Sequence, residues 1–169
     1  MLFRSSFSPL GLGLSMTIDY ATHKLSIGRA LPDEKAEFRL PMRHHRLSMV
    51  RGLLNDKRPT YFVVDTGGEV ISISTATAEE LDADVPRKIA LRVYGTSGWD
   101  RDAFLMPGVN LKFNDINYKN FSVVVLNLQA PSVLLGFQVG GIVGHKFLSP
   151  YRVSLDLNRS ELRMSKSGN

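Results

Sequence analysis

The sequence predicts an all-β domain closed into a barrel, with one or two short helices at its margins. Three observations carry this. Short apolar runs recur between turn residues, at 46–53, 61–64, 70–74, 89–93, 109–113, 121–126 and 152–157, which is the pattern of many short strands. Asn114 and Asp115 separate two apolar stretches at 111–118, as a tight hairpin requires. Helical spacing is confined to brief stretches, so the crossover helices of a parallel α/β sheet have no candidates.

Taken in order, the chain opens with a segment, 1–30, that contains a short hairpin. Residues 18–25 read Ile-Asp-Tyr-Ala-Thr-His-Lys-Leu, and 155–162 read Leu-Asp-Leu-Asn-Arg-Ser-Glu-Leu. Both give apolar-Asp-apolar, then turn residues, then Leu; Ile27 and Met164 extend the match at the same offset of 137. Residues 29–37, with Pro32, Asp33, Glu34 and Lys35, read as a linker into a main domain over 31–169. Arg43, His44, His45, Arg46 and Arg51 form a basic strand and loop. Residues 61–64 are a run of β-formers, and 70–74 form a second apolar strand. The best helix is 75–82, where Thr77 and Glu80 have capping-box spacing. Tyr94 to Trp99 is a Gly-containing hairpin tip. A second short helix is placed at 145–149, and 152–157 with 161–165 make the last strand pair.

Composition narrows the classes. With 169 residues the chain can bury one sizeable core. It has no cysteine, which excludes a disulfide scaffold, thiol catalysis and Cys-based zinc sites. The formal charge of +5 invites a nucleic-acid reading, but no nucleic-acid motif accompanies it, and a solvated basic face is the simpler account. No apolar run approaches the roughly 20 residues of a membrane-crossing helix. Residues 1–16 lack a small-residue cleavage site and contain Pro9, unlike a secretory signal.

The most informative stretch is Tyr61 to Ser74. Val63 and Val64 deliver Asp65 onto a turn of Thr66, Gly67 and Gly68, and a second strand leaves. Downstream stand Ile142, Val143 and Gly144, just ahead of the short helix. Together these resemble retropepsin-like aspartic proteases, the single-lobe aspartyl proteases of bacterial and retroviral type. The resemblance covers roughly 38–166. It implies a closed retropepsin-like (acid protease) barrel, with Asp65 catalytic and Thr66, Gly67 and Gly68 forming the active-site loop. It also implies a flap at Gly95, Thr96, Ser97, Gly98 and Trp99 that covers substrate, and a ψ-loop turn at Ile142, Val143 and Gly144. Gly68 departs from the family, where Ala or Ser is commoner. By the same resemblance Glu69 would pair with His145 or Lys146.

Such chemistry needs two carboxylates on one water, sharing a proton. This chain has one apolar-apolar-Asp-Thr-Gly. The second carboxylate is therefore expected from another copy, in a symmetric homodimer, or from a further lobe that the 1–30 segment once ended. The offset between the two hairpins is about one retropepsin-like unit; the alternative is that two β-hairpins look alike by chance. As the tail of a preceding lobe, the segment is expected to present an unpaired edge.

No cofactor is implied and no metal site is expected. His44 and His45 are neighbours on a strand and point to opposite faces. Nothing near Ser74 or Ser149 suggests a serine triad. The function expected is aspartic endopeptidase, acting on an extended peptide or protein substrate. Two rivals are a non-catalytic binding or assembly module of the same fold, and a basic nucleic-acid-binding β domain.

Overall fold

Strand after strand in this chain carries its apolar side chains at alternate positions, and the pleat sends those to one face. The protein is seen in a computed structural model that describes residues 9–81, 89–95 and 98–166. A single 3-10 turn at Pro9–Leu12 leads into β1 (Ser15–Asp19), β2 (Lys24–Gly28), β3 (Phe38–His44), β4 (Ser48–Leu54), β5 (Arg58–Val64) and β6 (Ile71–Ser74). Next come α1 (Thr75–Leu81), β7 (Ile89–Ala90), β8 (Val93–Gly95), β9 (Gly98–Asp100), β10 (Phe104–Phe113) and β11 (Ile116–Leu126). The chain ends in α2 (Gln129–Leu135), β12 (Gly141–Val143), α3 (His145–Leu148), β13 (Tyr151–Asp156) and β14 (Glu161–Lys166).

The architecture is the all-β closed barrel that the sequence predicts. Strands run β4-β5-β12-β6-β11-β10, and β10 returns to β4 through Leu111 opposite Leu54 and Lys112 opposite Leu53. Closure leaves no free edge in this ring. Leu40, Val50, Leu54, Phe62, Ile73, Phe113 and Phe147 belong to one buried core. The rings of Phe62 and Phe113 meet edge-on at 5.0 Å, and Phe147 lies 4.8 Å beyond Phe113. From β4 the sheet continues outward as β3-β14-β13-β1-β2. β8 and β9 form a separate two-stranded sheet.

Three details depart from the reading of the sequence. The first helix is capped by Ser74, whose Oγ accepts the Thr77 N–H at 3.0 Å. Thr77 is thus inside the first turn, and its hydroxyl donates to the Gly140 carbonyl. Glu80 reaches Arg58 instead of closing a capping box. The second departure is α2, a helix the sequence does not announce because Pro131 sits in its first turn, where a missing N–H does no harm. The third is that 38–44 is a full strand, pairing with both β14 and β4.

The hairpin at Asn114 and Asp115 forms as expected, with Phe113 opposite Ile116 and Asn114 at φ +48°. Among the described residues no helix is long and apolar enough to cross a membrane.

Candidate active site

The site is built where β5 ends. β12 is inserted between β5 and β6, which follow each other in sequence but do not pair. It runs parallel to β5, with Val143 beside Val64, and antiparallel to β6, with Val143 beside Ile71. This is the ψ-shaped arrangement implied for Ile142, Val143 and Gly144. It forces Asp65 out at the strand tip, where its N–H donates to the Val143 carbonyl at 3.0 Å.

The Asp65 carboxylate is held by its own turn. Oδ1 accepts the Gly67 N–H at 2.9 Å, and the Gly68 N–H donates to the Asp65 carbonyl at 3.2 Å. Asp65 is half-buried, while Thr66 and Gly67 are exposed, so the loop presents its tip to solvent. The turn is pinned from below: the His145 N–H donates to the Gly68 carbonyl at 2.6 Å, and the Lys146 N–H to the Glu69 carbonyl at 2.9 Å. The anticipated side-chain pair of Glu69 with His145 or Lys146 is not what links these segments; the backbone does it. His145 instead meets the ring of Tyr20 edge-on at 5.2 Å. That tyrosine hydroxyl is buried without a hydrogen-bond partner, and burial raises its pKa.

Close packing explains the glycines of the ψ loop. A Cβ on Gly141 would lie 2.5 Å from the Phe62 ring and from the Ser72 carbonyl oxygen. One on Gly144 would lie 2.4 Å from the Gly68 carbonyl oxygen, so the apolar-apolar-Gly turn and the catalytic-candidate loop touch backbone to backbone.

The flap candidate is the β8–β9 hairpin. Gly95 pairs with Gly98 and Tyr94 with Trp99, whose rings stack edge-on at 5.1 Å. Thr96 and Ser97 lie outside the described residues. Trp99 packs across its own hairpin and remains 63% exposed. Asp100 anchors the base of this hairpin, its Oδ2 accepting the Asn127 N–H at 2.8 Å. The sequence offers no signal for that anchor, since Asn127 is remote and lies in a loop.

The basic stretch is spread over several environments. The Arg43 guanidinium sits 4.8 Å over the Tyr61 ring, and His44 Nδ1 shares a hydrogen bond with the Ser48 hydroxyl at 3.0 Å. Burial lowers the His44 pKa. Among the described residues no three His, Asp or Glu side chains converge as metal ligands would.

A closed barrel with an Asp-Thr-Gly loop braced by a ψ strand defines an aspartic-protease class of fold. Residues 50–144 match the aspartyl protease family, and this chain belongs to it. Similar solved structures include the EIAV protease complexed with the inhibitor HBY-793, at 22% identity, covering 62% of this chain and 86% of that one, with a TM-score of 0.47. A retropepsin-like aspartic protease from Rickettsia conorii aligns at 16% identity over 79% of this chain and 96% of its own, with a TM-score of 0.49. The retroviral protease-like domain of Ddi1 from Leishmania major aligns at 14% identity over 74% and 97%, with a TM-score of 0.45. No curated protein matches the chain.

Proposed function

We propose that the protein hydrolyses peptide bonds as an aspartic endopeptidase, with Asp65 as one of two carboxylates on an attacking water. The observation that carries this is the Asp65 loop. Its carboxylate sits at a strand tip, oriented by the Gly67 N–H, on a turn whose outer residues are open to solvent. Held so, it can face a second carboxylate of the same kind. At close range the two share one proton. The ionised carboxylate takes a proton from water, and the protonated one hydrogen-bonds the scissile carbonyl as its charge develops. Thr66, exposed beside Asp65, bonds across to the opposing loop in this reading. The β8–β9 hairpin closes over an extended substrate and excludes water. The second carboxylate comes from a second copy or a second lobe.

The test is cleavage of a mixed peptide set by the full natural protein, wild type against Asp65→Asn. A shared proton gives an acidic, bell-shaped pH–rate profile, and the substitution removes cleavage while the circular-dichroism spectrum is unchanged. Cleavage by Asp65→Asn at the wild-type rate would rule the reading out.

A further inference from the structure

The hairpin β1–β2 and the hairpin β13–β14 are one structural unit present twice. Their cross-strand registers agree: Ile18 faces Leu25 as Leu155 faces Leu162, and Asp19 faces Lys24 as Asp156 faces Glu161. Their turns agree too. The Asp19 carboxylate accepts the Thr22 N–H at 3.1 Å, and the Asp156 carboxylate accepts the Arg159 N–H at 3.1 Å. The one left-handed non-glycine residue of each turn falls at the same place, His23 at φ +54° and Ser160 at φ +53°. Every correspondence has the offset 137 found in the sequence.

The two hairpins also pair with each other symmetrically. β1 runs antiparallel to β13, with Thr17 opposite Ser154, Met16 opposite Leu155 and Ile18 opposite Val153. Thr17 and Ser154 are themselves 137 apart, and their buried hydroxyls hydrogen-bond at 2.8 Å. A local two-fold axis therefore passes between these two residues, exchanging the hairpins. The β13 edge, where a second copy of this chain would have to pair about such an axis, is already filled by β1.

The symmetry stops at β2. Leu162 and Met164 of β14 are fully buried, because β3 and the barrel lie beyond them. Their counterparts Leu25 and Ile27 of β2 are 58% and 42% exposed, and among the described residues no strand lies on the far side of β2. An apolar strand with a free edge is an incomplete interface. We infer that β2 is the seat of a second lobe of this same fold, which carries its own Asp-Thr-Gly. One of its strands lies along β2 as β3 lies along β14. The local two-fold sets that lobe's catalytic loop against the Asp65 loop, so this lobe, not a second copy of the chain, supplies the second carboxylate. The catalytic part of this inference rests on the aspartic-protease reading above.

The experiment compares the 169-residue chain with the longest product of its own reading frame. The frame is expected to encode a second apolar-apolar-Asp-Thr-Gly lobe before β1. In the longer protein the β2 amides should exchange hydrogen several-fold more slowly than in the shorter chain, with β1 protected in both. Leu25→Gln with Ile27→Gln should leave the melting of the 169-residue chain unchanged and lower that of the longer protein. A frame without such a lobe, or β2 exchange equal in both proteins, overturns the inference. So does a cleaving homodimer of the 169-residue chain that loses β1 protection on association, although that result would leave the protease reading standing. Conversely, slowed β2 exchange in a longer protein whose cleavage ignores Asp65→Asn would uphold the seat and remove the protease reading.

Discussion

A methyl group on Gly144 would sit 2.4 Å from the carbonyl oxygen of Gly68 and 3.0 Å from that of Val70. Both obstacles are backbone, so neither can rotate away. Gly144→Ala must push the Asp65 loop off the ψ strand, and it should destabilise the fold by about 1–3 kcal/mol. It should also lose peptide cleavage out of proportion to the stability change, because the displaced atoms belong to the turn that orients Asp65. Gly67→Ala is the control: its Cβ would find only an ordinary contact, 3.4 Å from Asp65 Oδ1. Thermal melts of the two variants, with equal shifts, would contradict this account. Asp65, Gly67 and Gly144 were legible in the sequence because each belongs to a short motif whose geometry is local. The Ser74 cap was not, because Ser74 and Thr77 both suit a helix start. The choice between them depends on Thr77 finding the Gly140 carbonyl, a residue far along the chain.

At the scale of elements, the two matching hairpins have met different surroundings. Asp156 is fully buried and receives Arg163 Nη2 at 3.0 Å and Arg159 Nη1 at 3.0 Å. Arg163 is buried too, and its Nη1 donates to the Pro32 carbonyl, tying the segment between β2 and β3 to β14. Asp156→Asn would leave the Arg163 charge without its closest buried counterpart, and should destabilise by about 3–5 kcal/mol. Asp19, the matching residue of β1, caps its turn in solvent, and Asp19→Asn should leave denaturant midpoints close to wild type. Comparable losses for both would mean that the buried ion pair contributes nothing special. The sequence could not show this difference, since both positions read apolar-Asp-apolar. It did show the strands with continuous apolar runs. It missed β3 as a strand because exposed Arg39, Pro41 and Arg43 alternate with the inward-facing Phe38, Leu40 and Met42, so no continuous apolar run marks it.

At the scale of the whole molecule, stability is unevenly shared between the closed ring and the β8–β9 hairpin. The ring has no free edge and holds the buried Phe62, Phe113 and Phe147. Among the described residues the hairpin pairs with no other strand, and its aromatic pair, Tyr94 and Trp99, is largely exposed. The sequence made the ring legible through its apolar alternation and the hairpin through its glycines. It could not supply the second carboxylate, because no local pattern in this chain encodes one. Elements with few buried contacts open without global unfolding. A covering flap needs that freedom, since it must admit and release a peptide. Trp99 is the only tryptophan, so its fluorescence reports on this hairpin alone. Its emission should already be red-shifted in the folded protein and should be quenched readily by acrylamide. Heating through the unfolding transition, followed by far-ultraviolet circular dichroism, should then change Trp99 emission little, because the indole is wet before and after. Amides of β8 and β9 should exchange at rates that are insensitive to low denaturant, whereas those around Phe62 and Val63 should follow global unfolding. A blue-shifted Trp99 that moves red in step with the circular-dichroism transition would mean that the hairpin is locked to the barrel, and its role as a moving cover would have to be abandoned.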